Sequence, residues 1–338
     1  MKTIEIRIGF IGAGAIGSLF GGYLASANLE NCKQSVIFFG RANHIDVINK
    51  KGLTLQTDNG TLTINTIKAF DTYSTFKNTF PSEEGDKFDY LFISTKAHNT
   101  LKAIKEYKEI VKASKWVILL QNGIGNEVSV EREVGKEKLV RILTSHGALL
   151  KEPGYVMHTG VGFTKMGCLP PEVNQKSKSQ LATKKLTLYN LKELLDNVMI
   201  KTEIVDDIVK HSWEKAFVNI GINAIGAITR LKNGELLKFD TLKHYMIILV
   251  EEAITIAKAY GYIFQKEKYV DLMFTVAKET ANNENSMLQD IKREKPTEID
   301  FLNGKIVEIA DQLKIDVPFN RIMTDLVRSL EYSYSCRN

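Results

Sequence analysis

The sequence predicts an α/β protein in two parts, a doubly wound parallel sheet followed by an all-helical region. Three observations carry this expectation. A short apolar run near the start is followed at once by regularly spaced glycines and then by a helical pattern. Strand-like apolar runs then alternate with helical stretches, the order that builds parallel sheets. Beyond residue 207 the pattern turns almost wholly helical. At roughly 100–200 residues per domain, the 338 residues divide naturally into 1–206 and 207–338.

The first strand is read over residues 6–11, Ile-Arg-Ile-Gly-Phe-Ile. Gly12-Ala13-Gly14-Ala15-Ile16-Gly17 follows, and the residues after it recur at helical spacing. Strand, G-x-G-x-x-G and helix in that order form a Rossmann-type dinucleotide fingerprint. Gly12 permits the tight turn, Gly14 lets the backbone approach a pyrophosphate, and Gly17 lets helix and strand pack closely. The helix N-terminus offers free N–H groups to phosphate.

The second strand, Ser35–Phe39, runs into Gly40-Arg41, and the first acid after it is Asp46. An NAD site usually places an acid there to hold the ribose hydroxyls. Arginine can instead pair with a 2′-phosphate, so NADP(H) is the expected cofactor; an exposed loop cation is the plainer reading of Arg41. Further strands are expected at Phe88–Ser94, Trp116–Leu120 and Leu139–Leu143, with helices at 99–110 and 125–134 between them. Ligands of such sheets lie beyond the carboxyl ends of the strands. Lys96 and Asn122 fall at two of those ends, suited to a phosphate and to a ribose or substrate, although each also fits an ordinary exposed turn.

Residues 147–167 hold two strand-like runs, around Pro153-Gly154 and His158-Thr159-Gly160. The lysine-rich stretch Lys176–Lys185 reads as a solvated loop, followed by a helix over 185–197 and a strand over Ile200–Val205. Asp206 and Asp207 mark the start of the next helix. In that helix Lys215, Asn219 and Asn223 recur every four positions, so they share one face with about 40° of drift per step. Asparagine is a poor helix-interior residue. Two of them among apolar neighbours point to a stripe facing a ligand, with a solvated or core-bonded stripe as the alternative. The polar run Asn283–Asp290 interrupts the helices, Lys295–Asp300 resembles the start of another, and Pro318 opens the last.

Composition narrows the function classes. The 45 basic and 40 acidic residues are spread along the chain, and a net charge of +5 is too mild to imply a nucleic-acid partner. Cys32, Cys168 and Cys336 are an odd number at no metal spacing, which suits a reducing compartment. The apolar stretches are short or broken by acids such as Glu251 and Glu252, so no membrane span is expected. A cytoplasmic protein acting on a small anionic molecule is the expectation, with no metal site. Apolar helices of the second part could pair two chains, and a monomer is equally consistent.

Together these motifs resemble the ketopantoate (2-dehydropantoate) 2-reductase family over nearly the whole chain. The resemblance rests on Gly12–Gly17, Gly40-Arg41, Lys96, Gln121-Asn122-Gly123, His158–Gly162, Trp213-Glu214-Lys215 with Asn219 and Asn223, Asn233-Gly234-Glu235, Ser286–Asp290, and Pro296–Asp300 with Asn303-Gly304. It implies a Rossmann domain followed by a helical domain, and NADPH-dependent reduction of 2-dehydropantoate to pantoate in pantothenate (vitamin B5) and coenzyme A biosynthesis. Lys215 matches the family's catalytic lysine. Asn219, Asn223, Asn233, Asn283 and Ser286, together with Lys215, match substrate-binding positions. Gly12 to Gly17, Arg41, Lys96, Asn122, Ala148 and Glu298 match positions that hold the cofactor or order the site around it. The family includes paralogues with other substrates. A reductase of another 2-oxo acid therefore stays open, as does a non-catalytic NADP(H) sensor, against which the retention of Lys215 and Glu298 argues.

Overall fold

The computed structural model describes residues 4–28, 32–169 and 178–336. The chain forms two compact units. One contains Met1–Gln121 and Glu127–Ile208, the other Asn122–Asn126 and Val209–Asn338. The five residues Asn122–Asn126 thus leave the N-terminal stretch and group with the helical unit.

The first unit runs β1 (Ile4–Ile11), α1 (Ala15–Ser26), β2 (Cys32–Phe39), α2 (Ala42–Lys51), β3 (Leu53–Thr57), β4 (Gly60–Ile64), β5 (Lys68–Phe70), α3 (Tyr73–Thr79), β6 (Tyr90–Ile93), α4 (Thr100–Glu106), α5 (Lys108–Ala113), β7 (Trp116–Leu120), α6 (Asn126–Val134), β8 (Leu139–Thr144), β9 (Gly147–Glu152), β10 (Tyr155–Gly160), β11 (Thr164–Cys168), α7 (Lys178–Asp196) and β12 (Thr202–Ile204). Among the described residues eight strands form one sheet in the order β12-β11-β8-β7-β6-β1-β2-β5. From β8 to β5 all neighbours are parallel. The strand order reverses beside β1, so the carboxyl ends of β1 and β6 flank the crevice where such sheets bind ligands.

Two features depart from a purely parallel, doubly wound sheet. β11 runs antiparallel to β8 and carries β12 parallel to itself. A second sheet, β4-β3-β10-β9, is formed by segments whose alternation is short and half exposed. The glycines of α1 explain how it fits. A Cβ on Gly21 would lie 2.2 Å from the Phe38 ring of the large sheet, and one on Gly22 would lie 3.0 Å from Leu53 of the small one. Only a helix stripped of side chains on both flanks can be sandwiched between the two sheets.

Several boundaries differ from those read in the sequence. The helix expected over 99–110 breaks at Tyr107, whose buried ring stacks obliquely 4.9 Å from Phe39 and whose hydroxyl donates to Asp71 O at 3.3 Å. The expected loop Lys176–Lys185 is helical from Lys178 onward, and Lys184 is buried, donating to Lys136 O at 3.0 Å. The part of that stretch before Lys178 lies outside the described residues.

The second unit comprises α8 (Ile208–Thr229), α9 (Asn233–Leu236), α10 (Asp240–Ala259), α11 (Lys266–Glu279), α12 (Ser286–Lys292), α13 (Asn303–Leu313) and α14 (Pro318–Cys336). α8 lies in its core. Trp213, Phe217 and Ile220 are buried there with Met246, Leu249, Met273 and Ile306, each large apolar side chain contributing about 1.5–3 kcal/mol. The polar run at 283–290 is not an interruption throughout. Asn285 caps α12 by accepting from Leu288 N at 2.9 Å, and Met287, Leu288 and Ile291 are buried. Lys295–Asp300 does not start a regular helix either: a 3₁₀ turn over Ile299–Phe301 precedes α13.

A buried polar network holds this unit together. Asn303 Nδ2 donates to Asn320 Oδ1 at 3.0 Å. Asn320 Nδ2 donates to Leu249 O at 3.1 Å and Glu252 Oε2 at 2.7 Å. Glu252 also accepts from the backbone of Phe319 and Asn320, satisfying free N–H groups at the start of α14.

Candidate active site and dinucleotide loop

In the first unit the turn after β1 is built for close approach. Gly12 has φ +102°, and a Cβ there would lie 2.5 Å from Thr95 N. Its N–H and that of Ala13 both donate to Phe39 O, at 2.9 and 3.1 Å. A Cβ on Gly17 would lie 2.4 Å from Gly12 O, and Ser94 Oγ donates to that same oxygen at 3.0 Å. Gly14 differs, because a Cβ there would meet nothing nearer than Gly12 O at 4.0 Å. α1 begins without a side-chain cap and without an acid in its first turn. No side chain caps its first N–H groups, which suits a phosphate. These features fit a dinucleotide.

The other expected cofactor residues of this unit end neighbouring strands or lie nearby. Arg41 is exposed and is the N-cap residue of α2, directly after β2 and Gly40. Lys96, half-buried, follows β6. Ala148 lies on β9, paired with His158 of β10.

The second unit brings together three residues far apart in sequence. Lys215 Nζ donates to Asn122 Oδ1 at 2.5 Å. Asn122 Nδ2 faces Glu298 Oε2 at 3.4 Å. The carboxamide thus bridges an ammonium and a carboxylate, each meeting the end of opposite polarity. Local structure explains the meeting. Gly123, at φ +92°, lies so close to Phe301 that a Cβ would be 2.8 Å from its carbonyl oxygen, and Ile124 N donates to that oxygen at 3.1 Å. Phe301 ends the 3₁₀ turn that Glu298 begins, so the loop of Asn122 is delivered to Glu298. Asn126 Nδ2 donates to Asn122 O at 2.7 Å and tightens the loop. Glu298 is 9% exposed, and its neighbour Thr297 is anchored through its N–H to Glu331 at 2.7 Å.

Asn219 and Asn223 follow Lys215 along α8. Asn223 is 6% exposed. Asn233 donates through Nδ2 to Thr280 Oγ1 at 2.8 Å, while its buried Oδ1 is left without a partner. Its N–H donates to Asn283 O at 3.1 Å, which ties the two asparagines together through the backbone. Asn283 and Ser286 are exposed. An unpartnered buried carboxamide oxygen is costly, which makes Asn233 Oδ1 a good candidate for accepting from a polar ligand. The motif reading did not single out Phe301, Thr280 or Glu331. Each acts on a distant partner through one backbone or hydroxyl contact, and no local spacing signals that.

Residues 8–171 match the family described as ketopantoate reductase PanE/ApbA, and residues 207–331 match its C-terminal counterpart. A 2-dehydropantoate 2-reductase of Pyrococcus horikoshii is 37% identical over 96% of this chain and 98% of its own length. One from Archaeoglobus fulgidus is 31% identical over the same shares. Among solved structures, D-mandelate dehydrogenase with NADH and anilino(oxo)acetate superposes with a TM-score of 0.82 at 25% identity, covering 97% of this chain and 99% of the other. A PanE/ApbA family ketopantoate reductase from Ralstonia eutropha gives 0.80 at 25% identity over the same shares.

Proposed function

Because the chain belongs to the ketopantoate reductase family, we propose that it reduces 2-dehydropantoate to pantoate with NADPH, a step of pantothenate and coenzyme A synthesis in the cytoplasm. It is an oxidoreductase with a nicotinamide dinucleotide cofactor. The observation that carries the proposal is the contact of Lys215 with Asn122 beside Glu298.

When bound, the dihydronicotinamide supplies a hydride to the carbonyl carbon of the substrate. Negative charge then grows on the carbonyl oxygen, and the Lys215 ammonium stabilises it and gives up a proton to form the hydroxyl. Asn122 Oδ1 accepts one N–H of the ammonium and so aims the others. Glu298 offsets the positive charge through the same carboxamide. Asn219, Asn223, Asn233, Asn283 and Ser286 bind the substrate, whose carboxylate and hydroxyl need hydrogen bonds from neutral groups. Gly12 to Gly17 and the free N-terminus of α1 hold the pyrophosphate. Within the first unit Arg41 would take the 2′-phosphate, Lys96 would add positive charge and the Ala148 backbone would contact the cofactor, while Asn122 and Glu298 order the surroundings of Lys215.

A second reading has one observation in its favour. The superposition with D-mandelate dehydrogenase admits an aryl 2-oxo acid as substrate with the same Lys215 chemistry. NADPH oxidation assayed with 2-dehydropantoate and with phenylglyoxylate tests both. A kcat/KM at least tenfold higher for 2-dehydropantoate supports the proposal, and the reverse order favours the second reading.

A further inference from the structure

Within the first unit a buried histidine joins the two helices that begin the dinucleotide site. His44 is the third residue of α2 and only 2% exposed. Its Nδ1 lies 2.9 Å from Gly154 N, at the turn between β9 and β10. A backbone N–H can only donate, so Nδ1 is the acceptor and the ring proton sits on Nε2. That N–H lies 3.1 Å from Oγ of Ser18, a fully buried residue in the first turn of α1. The charged ring would turn a proton toward the Gly154 N–H, so this geometry admits only the neutral form. Burial and the nearby Arg41 cation act the same way, holding the imidazole down at about 4.

The positions of the two bonded helices matter. α1 starts at the glycine loop, and Ser18 N donates to Gly14 O at 2.9 Å, so Ser18 is one turn from the surface offered to the pyrophosphate. α2 starts at Arg41, and His44 N donates to Arg41 O at 2.9 Å. A cofactor carrying both a pyrophosphate and a 2′-phosphate would span these two helix starts if Gly12 to Gly17 hold the one and Arg41 the other. Discrimination between cofactors with and without that phosphate needs their spacing held to a fraction of an ångström, because a charge-assisted hydrogen bond weakens quickly with misplacement. Gly154 stiffens the arrangement. It has φ +75°, and a Cβ there would lie 2.4 Å from Val47 of α2.

We propose that His44 is a positioning residue for cofactor choice, setting the preference for a 2′-phosphorylated dinucleotide by bonding the glycine-loop helix at Ser18 to the helix that starts at Arg41. The inference rests on the reading of Arg41 as the 2′-phosphate contact. Neither His44 nor Ser18 needs to touch the cofactor.

The test is a fluorescence titration of NADPH and of NADH into wild type, Ser18→Ala, His44→Asn and Arg41→Ala, with a melting curve for each. His44→Asn keeps an acceptor near Gly154 N but cannot reach Ser18. Ser18→Ala is the milder cut and serves if His44→Asn does not fold. The expected result is a fall of at least about tenfold in the NADPH-to-NADH affinity ratio for Ser18→Ala and His44→Asn, with NADH affinity within about threefold of wild type. A merely structural histidine would lower the melting temperature and leave the ratio unchanged, which overturns the proposal. The Arg41→Ala arm shows where a failure lies. If it collapses the ratio while the other two variants do not, the role of His44 is wrong. If it leaves the ratio unchanged, the 2′-phosphate reading itself has failed and the inference falls with it.

Discussion

Lys215 and Asn122, 93 positions apart, meet through a hydrogen bond of 2.5 Å between Nζ and Oδ1. The contact lies wholly within the helical unit, because Asn122–Asn126 group with that unit although only Gln121 separates them from β7. A lysine on a buried helix is thereby given a fixed acceptor and, through the same carboxamide, a carboxylate partner in Glu298.

The glycine beside Asn122 is therefore expected to be intolerant of change. Gly123→Ala combines a φ of +92° with a Cβ 2.8 Å from the Phe301 carbonyl oxygen. A loss of about 1–3 kcal/mol in urea unfolding is predicted, together with a fall in kcat because Asn122 is displaced. An alanine variant as stable and active as wild type would show that the loop does not position Asn122.

Cofactor choice is predicted to follow Arg41. Kinetics with NADPH and NADH should show a wild-type preference for NADPH. Arg41→Ala should lose roughly 1.5–3 kcal/mol of that preference, the range for a hydrogen bond to a charged group. Equal kcat/KM for the two cofactors in wild type would remove the role given to Arg41.

The asparagine stripe makes a separable prediction. Asn223→Ala and Ser286→Ala should raise the KM for 2-dehydropantoate by an amount worth about 1–3 kcal/mol and leave NADPH affinity nearly unchanged. Isothermal titration with the product pantoate checks the same point without turnover. If both variants bind normally, the stripe is structural.

Two histidines of the first unit predict how stability responds to acid. Burial, then Arg41, lowers His44 to about 4. Burial, then His158, lowers His146 to about 4. Both rings are neutral in the folded chain, whereas the unfolded chain takes up protons near pH 6.5. Between about pH 6.5 and 4 the unfolded state binds more protons, so stability falls as pH falls, by up to roughly 1–3 kcal/mol per histidine. Urea midpoints at pH 7 and pH 5 should show the drop, and His146→Gln should shrink it. An identical pH dependence in that variant would assign the effect to other groups.

Much of this architecture was legible because its signals are local. The glycine loop stands between a strand and a helix, as G-x-G-x-x-G requires, and Lys215, Asn219 and Asn223 do lie along one helix, α8. The small sheet was legible only in part: its β9 and β10 fall in the strand-like runs read over 147–167, whereas β3 and β4 were missed, β4 being short, mostly exposed and with little apolar alternation. The helical character of Lys178–Lys185 was masked by its lysines. His44 gave no signal at all, because a lone histidine in a helix acquires meaning only from Gly154 and Ser18, 110 and 26 positions away. The bridge from Lys215 to Glu298 through Asn122 is of the same kind. Residue types and spacing named its members, and only the fold shows the carboxamide between them.

The most direct test of the account is single-turnover stopped-flow measurement of NADPH oxidation by Lys215→Ala with saturating 2-dehydropantoate, alongside a melting curve. As the proton donor, Lys215 should be worth roughly 10²–10⁴-fold in the rate of the chemical step. NADPH should still bind, because the glycine loop belongs to the other unit. A folded Lys215→Ala protein that oxidises NADPH within a few-fold of the wild-type rate would contradict the account.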